Sequence, residues 1–158
     1  MGSVTGDELL RLPVRVGGIE LGRVVDILIH PTDARALGAD VLCGDDRHRF
    51  LAFPAARLAK DALEVSSALV LLDLHEDSSY RLEARALSEL RGRQLDGSSL
   101  RDVVLGPDWA IVELVLEGGE GPRRAPLDGL VLPSRGERRR ATRPWPPRRG
   151  GRPRRRSR

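Results

Sequence analysis

Along residues 12–72 apolar and polar positions alternate over short runs, and glycine, proline or acidic pairs cut each run off. A period of two marks a half-buried strand. Val14 and Val16 flank Arg15 before Gly17-Gly18 stops the pattern. Residues 23–30 (RVVDILIH), between Gly22 and Pro31, are rich in β-branched side chains and predict a strand. Val25, Ile27 and Ile29 are expected on one face, with Val24, Asp26 and Leu28 on the other. Pro31-Thr32-Asp33 reads as a turn. Residues 37–43 form a strand, Gly44-Asp45-Asp46 a hairpin turn, and 47–53 the return strand. Pro54 favours one helical turn over 54–59. Residues 62–65 and 68–72 read as two further short strands, and 7–11 as a short helix.

Residues 73–86 are charged and weakly patterned, so they read as a connector. The strand pattern then restarts. Residues 100–105 end at Gly106-Pro107, and 109–117 alternate, with Trp109, Ile111 and Glu113 opposite Ala110, Val112, Leu114 and Leu116. A hairpin turn at 118–121 leads to a return strand over 122–127, and 130–132 closes the ordered part. Many short strands at close spacing predict a small all-β barrel or sandwich.

The two halves share a scaffold. The first reads Gly18-x-x-Leu21, then Asp26, Pro31, a hairpin, and Pro54 followed by Leu58. The second reads Gly92-x-x-Leu95, then Asp102, Pro107, a hairpin, and Pro126 followed by Leu130. The spacing from Asp to Pro is the same in both, and the second hairpin is expected to be four residues shorter. A duplication follows, and it has a physical use. Either half alone is near the size below which a core is marginal.

The string from Gly18 to Pro31 (GIELGRVVDILIHP) resembles the opening of the PRC-barrel family, which runs glycine, two variable residues, Leu-Gly, then an apolar strand carrying an aspartate. Gly18, Leu21, Gly22 and Asp26 hold those positions. The family's later apolar strand into a proline turn is matched by Ala52-Phe53-Pro54. In the second copy Gly92, Leu95, Asp102 and Pro126 remain, but Asp96 stands where a glycine follows Leu95. The resemblance covers about residues 12–75 and, in divergent form, 87–134. It implies an all-β fold of two small PRC-barrel-like units in tandem, joined by a connector over 76–86 and preceded by an N-terminal segment over 1–11. Such barrels occur in the photosynthetic reaction-centre H subunit, in a ribosome maturation factor and as free-standing bacterial proteins. The resemblance therefore implies a non-enzymatic adaptor or assembly module that binds a protein partner. The H subunit's membrane helix and the ribosome factor's additional N-terminal barrel have no counterpart here, so neither specific function transfers.

Composition narrows the chemistry. At 158 residues, 40% hydrophobic and 32% charged, the chain suits one compact domain or two very small ones. Aromatic residues make up 3%, too few for a platform that stacks bases in rows. His30, His48, His75 and the single Cys43 make no zinc-binding pattern, and one cysteine excludes an intrachain disulfide. No cofactor and no metal are expected. No apolar run approaches the ~18 residues of a membrane span. The opening residues lack the basic-then-apolar order of an export signal, which suggests a cytoplasmic protein. Asp26 and Asp102 are the one repeated carboxylate pair. Two such groups meeting in space do acid–base work, whereas an aspartate at a repeated strand position more commonly satisfies backbone donors.

Charge is split along the chain. Residues 135–158 hold twelve arginines and one acid, Glu137, a formal +11, which leaves −7 for residues 1–134. Lys60 is the only lysine, and this arginine bias suits a GC-rich genome. The tail has almost no aliphatic side chains, and Pro144, Pro146, Pro147 and Pro153 favour extended segments. It is expected to be disordered. Guanidinium forks fit phosphates bidentately. Arg138, Arg139, Arg140, Arg143, Arg148, Arg149, Arg152, Arg154, Arg155, Arg156 and Arg158 are therefore candidates for gripping RNA or another acidic partner. An RNA-binding or ribosome-assembly accessory role is the alternative to the adaptor.

Overall fold

The computed structural model describes residues 2–74, 83–128 and 131–133. The strands are β1 (Val4–Thr5), β2 (Pro13–Val16), β3 (Ile19–His30), β4 (Arg35–Cys43), β5 (His48–Ala52), β6 (Ala56–Leu58), β7 (Leu63–Val65) and β8 (Leu71–Asp73), then β9 (Arg85–Ala86), β10 (Gln94–Leu95), β11 (Ser98–Leu105), β12 (Ile111–Gly118) and β13 (Gly121–Pro126). Two single-turn helices, α1 (Gly6–Leu9) and α2 (Leu87–Leu90), follow β1 and β9. The fold is all-β, with two curled half-barrel sheets. One sheet runs β6-β7-β2-β3-β4-β5-β8, with β9 also on β3. The other runs β1-β11-β12-β13, with β10 also on β11. The connector expected over 76–86 is described only from 83 onward, and the tail from 135 lies outside the described residues.

The repeat is written into the ladders. Between β3 and β4 the register slips at Val24/Asp26 and again at Leu28/Ile29. Between β11 and β12 it slips at Leu100/Asp102 and at Val104/Leu105. Each first slip inserts one residue, Val25 or Arg101, and each second slip inserts Leu37 or Val112. A β-bulge reverses the inward–outward phase of a strand. This corrects the faces expected for β3: Val25 is 41% exposed, while Val24, Ile27 and Ile29 are all buried.

The arms at the start of each half are exchanged. β1 pairs with β11, in the second half, through Val4↔Leu105 and Thr5↔Val104. β9 pairs with β3, in the first half, through Ile29↔Arg85 and Leu28↔Ala86. Residues 4–11 are thus part of the folded body. After each helix the chain returns by matching hydrogen bonds. Arg11 N–H donates to Val24 C=O at 2.8 Å, and Gly92 N–H to Leu100 C=O at 2.7 Å. Both Arg11 and Gly92 have positive φ, 73° and 82°. Gly92 therefore corresponds to Arg11, and the counterpart of Gly18 (φ 82°) is Gly97 (φ 79°) in the turn between β10 and β11. The motif alignment Gly18-x-x-Leu21 with Gly92-x-x-Leu95 is corrected accordingly. Pro126 faces Glu113 as Ala52 faces Gly38, so it does not correspond to Pro54, which lies in the 3₁₀ turn Phe53–Ala55.

The halves also meet where β4 and β12 begin. Ala36 N–H donates to Trp109 C=O at 2.9 Å and Ile111 N–H to Ala34 C=O at 2.8 Å, a reciprocal pair around the Arg35↔Ala110 bridge. Phe53 stacks on Trp109 with ring centroids 4.2 Å apart. Trp109 itself sits in the turn before β12, at φ 66°, and does not start a strand. One continuous core joins Leu9, Ile27, Leu51 and Phe53 to Leu87, Leu100, Leu105 and Leu114. A smaller cluster of Leu28, Phe50 and Ala84 covers the other face of β4 and β5. The Phe50 ring packs directly against Gly38, which has no side chain. A Cβ at Gly38 would sit 2.6 Å from Phe50 Cε2 and run into Leu51 C=O. Gly38→Ala is expected to cost about 1–3 kcal/mol in urea unfolding, while Gly119→Ala, in open space, stays within about 0.5 kcal/mol of wild type.

Candidate interaction surfaces and the repeated aspartates

Asp26 and Asp102 each follow a bulge residue, and the bulge turns each carboxylate toward the other half's helix. Asp26 Oδ1 accepts from Ser88 N–H at 3.2 Å and from Ile27 N–H at 2.8 Å, and Oδ2 accepts from the Ser88 hydroxyl. Asp102 Oδ2 accepts from Asp7 N–H at 2.9 Å. Ser88 and Asp7 are the second residues of α2 and α1. The repeated aspartates therefore satisfy helix-start donors that have no partner inside the helix. α2 relies on this: no side chain at its own N-cap, Ala86, makes a capping bond. α1 adds a capping box, with Thr5 Oγ1 accepting from Glu8 N–H and Glu8 accepting from Thr5 N–H. Those bonds from Thr5 hold the Glu8 carboxyl below its ordinary value.

Asp102 is the more enclosed of the two. Its Oδ1 lies 3.3 Å from Arg91 Nη2, which also binds Asp7 Oδ1 at 2.6 Å. Partial burial opposes the Arg91 charge, but the carboxylates of Asp7 and Asp102 outweigh it and raise the guanidinium above its usual value. Gly6 is required beside this cluster, since a Cβ there would strike both Asp102 Oδ1 and a methyl of Leu87.

The remaining candidates fall elsewhere. His30 Nδ1 accepts from Asp33 N–H at 3.1 Å, within the turn after β3. His48 is exposed on β5, 2.8 Å from Asp40 Oδ1. Among the described residues no three or more His, Cys, Asp or Glu side chains form a metal-binding group. No described helix is long and apolar enough to cross a membrane. His75 and the arginines from Arg138 to Arg158 lie outside the described residues.

An open groove of about 380 Å³ lies at the end of the first sheet, between Leu21, Cys43, Arg49 and the turn Ala68–Val70. Leu21 is the bulged residue of β3, and Gly22 lets β3 approach closely: a Cβ there would sit 2.9 Å from Cys43 Cα. Leu69 forms one wall and is 88% exposed. Arg49 spans the groove mouth, held by Asp45 through two bonds of 2.9 and 2.6 Å and by Asp73 at 3.6 Å. Cys43 is a buried thiol at the base of the groove.

The second sheet ends differently. β8 covers the outer edge of β5, but among the described residues no strand covers the outer edge of β13. Arg123 and Arg124 are exposed there. Sequence reasoning passed over this edge, although Pro122 and Pro126 marked it: two prolines four apart in a strand belong on an edge. Compared with protein-family models and with curated proteins, the chain matches none.

Asp102→Ala is expected to cost about 2–4 kcal/mol in thermal or urea unfolding, because it takes the buried acceptor from Asp7 N–H and one of the two carboxylates from Arg91. Asp26→Ala, which removes the acceptor of the Ile27 and Ser88 bonds but leaves no cation behind, costs about 1–2 kcal/mol. At the groove, the Arg49 bonds depress the Asp45 carboxyl to about 2. The sign follows: this pair supports folding above the unfolded-state aspartate pKa and is lost as pH falls through about 2. An NMR pH titration should show the Asp45 carboxyl moving back up toward the ordinary aspartate range in Arg49→Gln.

Proposed function

We propose that this chain is a non-enzymatic protein-binding module of the PRC-barrel kind, an adaptor or assembly factor whose folded body holds a protein partner. The observation that carries this reading is the apolar rim of the groove. Leu69 is 88% exposed on its wall, and Leu21 and Leu71 line it. Large apolar side chains presented beside an open groove mark a contact surface. The Arg49–Asp45 pair at its mouth supplies a polar element for orientation. The only carboxylate pair that suggested acid–base chemistry is engaged at the two helix ends, where it has a structural role. The +11 tail adds electrostatic attachment to an acidic partner.

The same tail favours a second reading, an RNA-binding accessory, because arginine contacts to phosphate need no fixed sequence. Removing residues 135–158 separates the two. RNA binding by the full chain is expected to weaken by about 10³–10⁵ between 50 and 200 mM salt if 6–10 phosphates are contacted, and to vanish in a chain ending at Ser134. On the adaptor reading, the partner identified by crosslinking the full chain remains bound to the chain ending at Ser134, and Leu69→Asp releases it. Loss of every partner with the tail overturns the adaptor reading.

A further inference from the structure

Comparing the two halves at one edge yields the inference. In the first half, β8 adds to β5 through Arg49↔Asp73, Phe50↔Leu72 and Leu51↔Leu71. In the second half, β13 stands where β5 stands: Arg123 faces Leu116 as Arg49 faces Val41, and Ala125 faces Leu114 as Leu51 faces Ala39. Arg123, Arg124 and Ala125 therefore correspond to Arg49, Phe50 and Leu51. No described strand covers them.

The backbone of β13 has an unusual pattern of donors. Along an antiparallel ladder alternate residues point their N–H and C=O to the same side. Positions 122, 124 and 126 share one side, and two of them are proline, so that side faces away from β12. Only Arg124 offers both an N–H and a C=O outward. Two proline-flanked bonds are too few for a long strand or for sheet-to-sheet aggregation. They suffice for a short strand like β8, whose middle residue, Leu72, pairs with the corresponding Phe50.

The side chains define the occupant's charge. Arg49 on β5 meets Asp73 of β8 at 3.6 Å. Its counterpart Arg123 is exposed and has no ion pair among the described residues, and Arg124, 3.7 Å from Glu113, is also exposed. The chain's own tail is the wrong sign for this edge, with twelve arginines and one acid. We propose that the outer edge of β13 docks an extended acidic segment of a partner protein, added as a short antiparallel strand of the order apolar–acidic–acidic opposite Ala125, Arg124 and Arg123. The backbone pair at Arg124 gives attachment, and the two guanidinium groups give selection. This rests on the protein-binding reading above but uses a different surface from the groove.

The probe is a capped peptide of residues 67–74 carrying Leu72→Glu, with a Leu72→Lys, Asp73→Lys version as control. Added to the full-length protein, the acidic peptide is expected to shift the amide signals of Arg123–Ala125 and of Leu114–Leu116, and the lysine version is not. Arg124→Pro removes the outward donor without touching the ladder to β12, so it should weaken binding about tenfold at unchanged melting temperature. Arg123→Glu should weaken the acidic peptide and strengthen the lysine peptide. Equal binding of both peptides, or shifts confined to β5, overturns the proposal. So does tighter binding by about tenfold once the chain ends at Ser134, which would make the tail the resident of this edge. A partner released by Leu69→Asp but indifferent to Arg124→Pro removes this edge and leaves the groove reading intact.

Discussion

The exchange of arms between the two halves is the constraint on which the rest of this fold depends. A long bulged strand such as β3 or β11 leaves backbone donors and acceptors open beyond its bulge, and buried groups of this kind must be paired. Leu28 and Ile29 find that partner in β9, and Val104 and Leu105 find it in β1. The same arm delivers a helix start to the aspartate on the opposite strand. Strand edge, helix N-terminus and carboxylate are thus satisfied together across the junction between the halves. Two units of this size gain little by folding separately, since each would bury a small core. Exchange makes their cores one, from Leu9 and Val14 through to Leu114 and Leu116.

Reciprocity explains which residues recur and which do not. The aspartates at 26 and 102 recur because each serves the other half's helix. Their surroundings diverge because the two helices differ. Gly6 leaves room for Asp102, whereas Leu87 fills its place in α2 and packs against α1. Arg91 then adds a charge between Asp7 and Asp102, with its Nε buried and unpartnered among the described residues. The corresponding residue after α1, Leu10, packs against the core instead. One junction is held by ions and the other by Asp26, Ser88 and apolar contact.

The fold class was legible because period-two patterning and turn residues are local signals. Strand positions at 37–43 and 100–105, the hairpin at Gly44–Asp46 and the Asp-to-Pro spacing all came through. What failed came from bulges and exchange, which are not local. Alternation puts Val25 with Ile27 because it assumes an unbroken strand, and one inserted residue reverses it. Gly92 aligns with Gly18 by sequence because both precede a leucine by three residues, yet its positive φ belongs to the turn after α2, which in the first half is made by Arg11. No sequence period announces that Val4–Thr5 belongs beside Val104–Leu105. The role of the aspartates was legible only as a choice between chemistry and backbone bonding, and the helix starts that decide it come from 62 and 95 residues away.

Where the halves stop matching is where binding has room to arise. Everything along the junction is constrained twice, since a change in one half disturbs the other. The far edges are free of that constraint. On the first half the chain continues past β5 and covers it with β8, and the ion pair Arg49–Asp73 closes the edge from within. On the second half the described chain leaves β13 with its arginines exposed and its outward donors reduced to one by Pro122 and Pro126. Prolines at those positions protect a lone edge from long, unselective pairing. A bare edge kept only for stability would gain from a cover strand like β8. An edge uncovered among the described residues and guarded in this way suits intermittent occupation, and Asp73 of β8 opposite Arg49 shows in the first half how an acidic residue meets the arginine of such an edge.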